Sequence, residues 1–347
     1  MTHLLGMLAA IALTAFCWGV YGPVLHFGRD AMQSALRPFV CVGLAYFLIA
    51  VIAPVVLMAR GREKGSWTAT GVLWSLLAGA AGSLGALGVI LALTAGGRPI
   101  YVMPLVFGGA PVVNTLLTAF LNKAFSQLKA PFLAGLILVI TGAVTVLVFK
   151  PQPQAGHAEK SAAVSTEAGA AEEAGPGAGV KQETERFFEV LLAVALALLS
   201  WGAYGPVLHK GQAAMRGSRL RPLICIGGAY FLIAVLVPLA LLGPLGDQGN
   251  WNVGGVIWSM AAGSLGAIGA LGTILAFACG GKPFTVMPVV FGCAPVINTL
   301  TTLSLSRMPT SAVSPFFLAG ILIVGVGAAT VLIFGPRGPA PAKPAAA

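Results

Sequence analysis

Charge is what this sequence has least of. Only 9% of its 347 residues are Asp, Glu, Lys or Arg, too few to cover a water-soluble domain of this size. Acids are scarcer than bases, 10 against 20. All ten fall in loops, in a polar linker or at the edge of an apolar run, as Asp30, Glu63, Glu189 and Asp247 do. No carboxylate is therefore placed to relay protons or sodium through a membrane. The five cysteines (Cys17, Cys41, Cys225, Cys279 and Cys293) lie in apolar runs without CxxC spacing, so no metal and no cofactor is expected. No nucleophile, base and acid set stands out, which argues against an enzyme. The basic residues lack the interleaved aromatics of a nucleic-acid surface.

What is abundant is apolar surface. The chain is 57% hydrophobic with 46 glycines, and runs near 4–25, 38–59, 71–95, 100–121, 131–149, 188–208, 222–242, 253–278, 284–305 and 315–334 are each long enough to cross a bilayer as a helix. Between the halves lies a stretch rich in Ala, Gly, Glu, Gln and Pro, too polar to bury a core. This predicts a five-helix unit over 1–149, a disordered linker over 150–187, a second unit over 188–334 and a disordered tail over 335–347. The first run lacks a basic leader and recurs deep in the chain, so it reads as a retained span and not a signal peptide.

The halves repeat each other. Trp18-Gly-Val-Tyr-Gly-Pro-Val-Leu-His26 returns as Trp201-Gly-Ala-Tyr-Gly-Pro-Val-Leu-His209, and Arg37 through Tyr46 returns as Arg221 through Tyr230. Gly-Gly-Arg98-Pro, Met103-Pro104, Phe107 and Pro111-Val-Val-Asn114 return as Gly-Gly-Lys282-Pro, Met287-Pro288, Phe291 and Pro295-Val-Ile-Asn298. An odd number of spans per unit makes the second unit enter the membrane from the opposite side. Loop charges agree: Arg60, Arg62 and Lys64 follow the second span, whereas 243–252 has no Lys or Arg; the loop after the first span shows the reverse, with Lys210, Arg216, Arg219 and Arg221 in the second copy. The expected fold class is an all-α integral membrane protein of about ten transmembrane helices arranged as two inverted five-helix repeats. The positive-inside rule then puts both termini in the cytoplasm, with the chain in the inner cell membrane and the linker outside.

On the repeated unit, Trp18-Gly19 and Trp201-Gly202, the Gly-rich third spans and Met103-Pro104 with Met287-Pro288, the chain resembles the drug/metabolite transporter superfamily in its ten-span EamA-like branch. It departs from relatives that carry a Gly-Glu pair after the fourth span, reading Leu121-Asn-Lys-Ala-Phe125 and Leu305-Ser-Arg-Met308 instead. The resemblance implies movement of a small metabolite by alternating access, with the site near the midplane.

The residues suggest where such a site would be. Proline lacks an amide hydrogen and crowds the carbonyl four residues before it, so kinks or breaks are expected at Pro104, Pro111, Pro288 and Pro295. Backbone so freed tolerates membrane depth only in a cavity or packed in protein. Candidate substrate contacts are Trp18, Tyr21, His26, Tyr46, Met103, Phe107 and Asn114 in the first half, and Trp201, Tyr204, His209, Tyr230, Met287, Phe291 and Asn298 in the second. The competing reading is an interfacial belt for His26 and His209 and plain interhelical bonds for the asparagines. Arg37, Arg98, Arg221 and Lys282 each precede a helix-starting proline, where a cation is unfavourable without a compensating anion. They are candidates for steering an acidic substrate or for binding lipid phosphate. The glycines at 79–88 and 263–272 read as packing. Aromatic, Met and Asn lining suits a small, partly apolar metabolite such as an amino acid, nucleoside or sugar derivative. The alternative is a non-transporting scaffold or sensor whose linker binds partners. The expected partners are the bilayer and a small-molecule substrate, no nucleic acid, and a homodimer is compatible with the sequence.

Overall fold

The computed structural model describes residues 2–61, 63–95, 97, 99–149, 178–244, 246–305 and 313–336. These form α1 (Thr2–Met32), α2 (Leu36–Ala59), α3 (Ala69–Thr94), α4 (Pro99–Leu121), α5 (Ala130–Val148), α6 (Ala178–Ala214), α7 (Leu220–Leu241), α8 (Val253–Ala278), α9 (Pro283–Leu305) and α10 (Pro315–Phe334), with no strand among the described residues. Nine of these helices are long and apolar enough among the described residues to cross a membrane; the tenth, α4, has a shorter apolar stretch at Leu105–Leu121. Large hydrophobics such as Leu5, Phe16, Phe120, Ile137, Leu192 and Leu322 face outward. A girdle of this kind fits lipid and would be a liability in water. The molecule is an all-helical, multi-pass membrane protein.

Local chemistry sets the helix boundaries. The Thr68 hydroxyl caps α3 by accepting from Gly71 N, and the Asn252 amide oxygen caps α8 by accepting from Gly255 N. Helix α6 starts at Ala178, ten residues before the boundary that hydropathy suggests, so the end of the expected linker is helical. The rest of that linker and nearly all of the tail lie outside the described residues.

The prolines act in a place the sequence did not single out. Helices α4 and α9 run unbroken through Pro111 and through Pro288 and Pro295, so the expected break is not observed. The Pro104 side chain lies outside the described residues. The irregular backbone occurs instead in α2 and α7, as π-helical turns at Leu48–Ile52 and Phe231–Leu236. Each comes just before a proline, Pro54 or Pro238, and widening that turn relieves the ring against the carbonyls of Ala50 and Ala234.

First-half helices pack mainly on second-half helices: α1 along α8, α3 along α6, and α5 along α10. Glycine permits the approach. An added Cβ at Gly142 would lie 2.6 Å from Val324 N, and one at Gly327 would lie 2.6 Å from Val139 N. Loops are clamped at the helix ends. Asp247 accepts from Ser34 Oγ at 2.6 Å and pairs with Arg37, while Glu63 accepts from Ser218 Oγ at 2.6 Å and from the amides of Arg219 and Leu220, with Arg221 3.9 Å away.

Candidate functional site

A cavity of about 270 Å³ lies between the packed pairs. Its floor is aromatic because the repeated Trp and Tyr positions converge there. Trp18 crosses Gly269 and donates Nε1–H to Gly266 O at 3.2 Å; Trp201 crosses Gly85 and donates to Gly82 O at 3.0 Å. A Cβ on Gly85 or Gly269 would sit 2.1 or 2.3 Å from the indole Cδ1, so only glycine leaves room for the ring. The Tyr46 and Tyr230 rings stack with centroids 3.7 Å apart, and Trp18 meets Tyr204 edge-on at 5.7 Å. Phe107 joins Trp201 and Phe291 at 6.0 and 6.2 Å. Edge-on and tilted pairs of this kind each contribute about 0.5–1.5 kcal/mol beyond burial, which favours this one arrangement of the floor. The Tyr204 hydroxyl is buried and makes no hydrogen bond to the described protein. It shares that state with Asn114 Oδ1 and Gln212 Oε1, but unlike them it belongs to a residue that lines the cavity.

The walls lead from this floor toward the end of the molecule where Arg29 and Leu93 lie. Tyr21, Gly22, Leu25, His26 and Arg29 of α1 form one stripe, and Gly82, Ala86, Val89, Ile90 and Leu93 of α3 form another. Met103, Phe291, Pro295 and Asn298 complete them. The glycines of α3 and α8 thus do more than pack, since Gly82 and Gly266 are cavity wall against Tyr230 and Tyr46. Arg29 was not among the residues the sequence singled out. The signal was present: it lies three and four residues beyond His26 and Leu25 on the same helical face.

At the opposite end the matching residues are packed shut. Asn114 is fully buried and donates Nδ2–H to Pro283 O at 2.8 Å. Met287 and Leu208 are fully buried, and the His209 ring lies edge-on to Phe277 at 5.2 Å. Gln212, at 4% exposure, donates to Ile274 O at 3.1 Å. Trp18, Tyr21, His26, Tyr46, Met103, Phe107, Trp201, Tyr204, Tyr230, Phe291 and Asn298 therefore come together around the cavity. Asn114, His209 and Met287 do not, because in this arrangement they form the seal below it.

The basic residues ahead of helix starts also need correction. Arg37 and Arg221 are nearly buried and already have their anions in Asp247 and Glu63; Trp251 and Trp67 lie 5.9 and 5.8 Å from the two guanidiniums. The charge that a helix N-terminus disfavours is offset within the chain, which leaves these two arginines no free charge for steering a substrate. Lys282 is exposed, and Arg98 lies outside the described residues. Burial alone would raise the Glu63 pKa, but the bonds from Ser218 and the Arg219 and Leu220 amides, with the Arg221 charge, outweigh it and hold the carboxyl below its ordinary value.

No family model matches this chain, and no curated protein matches it. Solved structures share its fold: in one crystal structure of a protein, the match has a TM-score of 0.63 at 18% identity and covers 97% of this chain and 99% of that one. At that identity the likeness speaks for the fold alone.

Proposed function

We propose that this chain is a membrane transporter of the drug/metabolite transporter type, moving a small, partly apolar metabolite by alternating access between two inverted five-helix repeats. The observation that carries this reading is the one-ended cavity: an aromatic floor at mid-depth, an open path on one side, and the sequence-matched residues packed shut on the other. Loop charge supports the orientation, with both termini cytoplasmic in the inner membrane, the cavity open to the outside and the seal on the inside. Ten spans are counted by taking α4 as the partner of α9, on the strength of the repeated Met-Pro and Pro-Val-x-Asn segments. Alternating access then needs no new parts, only an exchange of environments between matched residues.

The test is a thermal-shift screen of the purified protein against amino acids, nucleosides, sugar derivatives and small organic acids, followed by counterflow of any hit in proteoliposomes. A ligand of the folded state must raise its melting temperature. A hit that is carried, and that loses its shift in Trp18→Ala, supports the reading. A hit that binds but shows no counterflow sinks transport and leaves a receptor-like binding protein.

A further inference from the structure

The two ends of the central path carry different charges at matching positions. Arg29 lines the open end, and the residue at the matching place of the repeat, 183 positions on as His209 follows His26, is Gln212. Among the described residues no carboxylate or other acceptor meets the Arg29 guanidinium; the carboxylate of Asp30 turns to His26, at 3.3 Å, and both of those side chains are well exposed. At the sealed end Gln212 is 4% exposed and is held by Ile274 O. Ala213, which matches Asp30, stays exposed there.

We infer that Arg29 makes closure of the open end depend on a bound organic anion, so that the substrate is a small amphipathic carboxylate with an apolar or aromatic body. This rests on the alternating-access reading above. The sealed end shows what closure does to this position: the side chain goes from cavity wall to nearly full burial. A neutral amide bears that with one bond to Ile274 O and its Oε1 left without a partner among the described residues, whereas an unpaired guanidinium is far more strongly opposed by desolvation. Asp30 cannot follow it inward, since its matching residue remains outside in the sealed arrangement. A carboxylate arriving with the substrate supplies the missing countercharge. Its apolar part has Leu25 and Ile90 beside it and the aromatic floor beneath. Asn298 and the unpartnered Tyr204 hydroxyl offer neutral polar contacts on the way. A cation without a described partner, and no carboxylate among the described lining residues, disfavour cationic substrates.

The experiment reads closure directly. Leu93→Cys places a thiol in the wall near the open end, in a chain whose Cys279 and Cys293 are replaced by serine, and its labelling by a water-soluble maleimide is timed. The probes are indole-3-acetate and its neutral isostere indole-3-acetamide. With Arg29 in place, the acetate is expected to slow labelling at least about tenfold, as for a charge-assisted contact, and the acetamide to have little effect. In Arg29→Gln, labelling is expected to be slow without any ligand, and acetate and acetamide become equivalent. Arg29→Lys keeps the charge and is expected to behave as the natural chain does, which guards against a folding artefact. Equal protection by both probes in the natural chain, or unchanged ligand-free labelling in Arg29→Gln, overturns the inference. Anion-dependent protection without counterflow would overturn the transport reading and leave this one standing; counterflow of neutral solutes untouched by Arg29→Gln would do the opposite.

Discussion

Asn298 and Asn114 occupy matching places in the repeated sequence, as do Met103 and Met287, and His26 and His209, yet one of each pair borders an open cavity and the other belongs to a seal. Asn298 touches empty space beside Gly22, whereas Asn114 is fully buried with its amide on Pro283 O. His26 is exposed beside Asp30, whereas His209 packs against Phe277. Local sequence this similar does not by itself choose between the two environments. The choice is made by how the helices pack as bodies, and a small difference in free energy separates the alternatives in any molecule that uses both. The floor between them behaves otherwise: Trp18 with Gly266 and Trp201 with Gly82 make the same contact on both sides. A centre packed alike on both sides with unequal ends is the arrangement that the proposed alternating access calls for.

The comparison is broken most directly at its glycines. A Cβ on Gly205 would sit 2.4 Å from Met287 Cγ and 2.9 Å from Asn114 Oδ1, and both of those residues are fully buried with nowhere to retreat. Its match, Gly22, would meet only Asn298 Nδ2 at 2.6 Å, on a side chain that borders the cavity and has room to swing. Gly205→Ala is therefore expected to cost the sealed arrangement about 1–3 kcal/mol, and Gly22→Ala well under 1 kcal/mol. Thermal unfolding reads the first cost. Maleimide labelling of Leu208→Cys, a fully buried position in the seal, reads any opening as a faster rate in the Gly205 variant alone. Equal effects of the two substitutions would mean that the ends are not different in the way described.

The clamps at the two ends sharpen the comparison at the next level. Glu63 accepts three hydrogen bonds and faces Arg221, so Glu63→Gln keeps the acceptor but removes the charge, at an expected cost of about 1–2 kcal/mol. Because the folded pKa lies below the unfolded value of 4.5, this contribution is complete above pH 4.5 and is lost as pH falls through the folded value. Melting temperature in detergent should thus fall more steeply with acid below pH 4.5 for the natural chain than for Glu63→Gln. Parallel curves would remove Glu63 from the account.

Much of this was legible in sequence because periodicity and repetition are local signals. The apolar runs mark eight of the ten helices to within two residues and fall short on α1 and α6, whose polar ends continue as helix, and most of the repeated Trp, Tyr, Met and Phe positions do meet at the cavity. The misses share a cause, since each depended on contacts between distant segments. Asn114, His209 and Met287 are equivalent to their matches in sequence, and only packing makes them a seal. Arg37 and Arg221 looked uncompensated because Asp247 and Glu63 come from loops about 210 and 158 positions away by chain number. The irregular backbone is expected from the sequence at Pro104, Pro111, Pro288 and Pro295, in α4 and α9. It formed in α2 and α7, where Gly43 and Gly227 bring those helices against each other beside Ala234 and Ala50.

The smallest expected effect separates the two asparagines. Asn114→Ala removes one interhelical hydrogen bond in a membrane-buried setting, worth about 0.6–1 kcal/mol, and the Oδ1 it deletes had no partner, so part of the loss is returned. Asn298→Ala removes a side chain that makes no such bond among the described residues and widens the cavity it borders. Stability should therefore drop by a fraction of a kcal/mol for Asn114→Ala and hardly at all for Asn298→Ala, whereas ligand binding should show the reverse order. Melting curves with and without a ligand found in the screen give both quantities from one experiment. If Asn114→Ala abolished the ligand-induced shift while Asn298→Ala spared it, the cavity would have been assigned to the wrong end of the path.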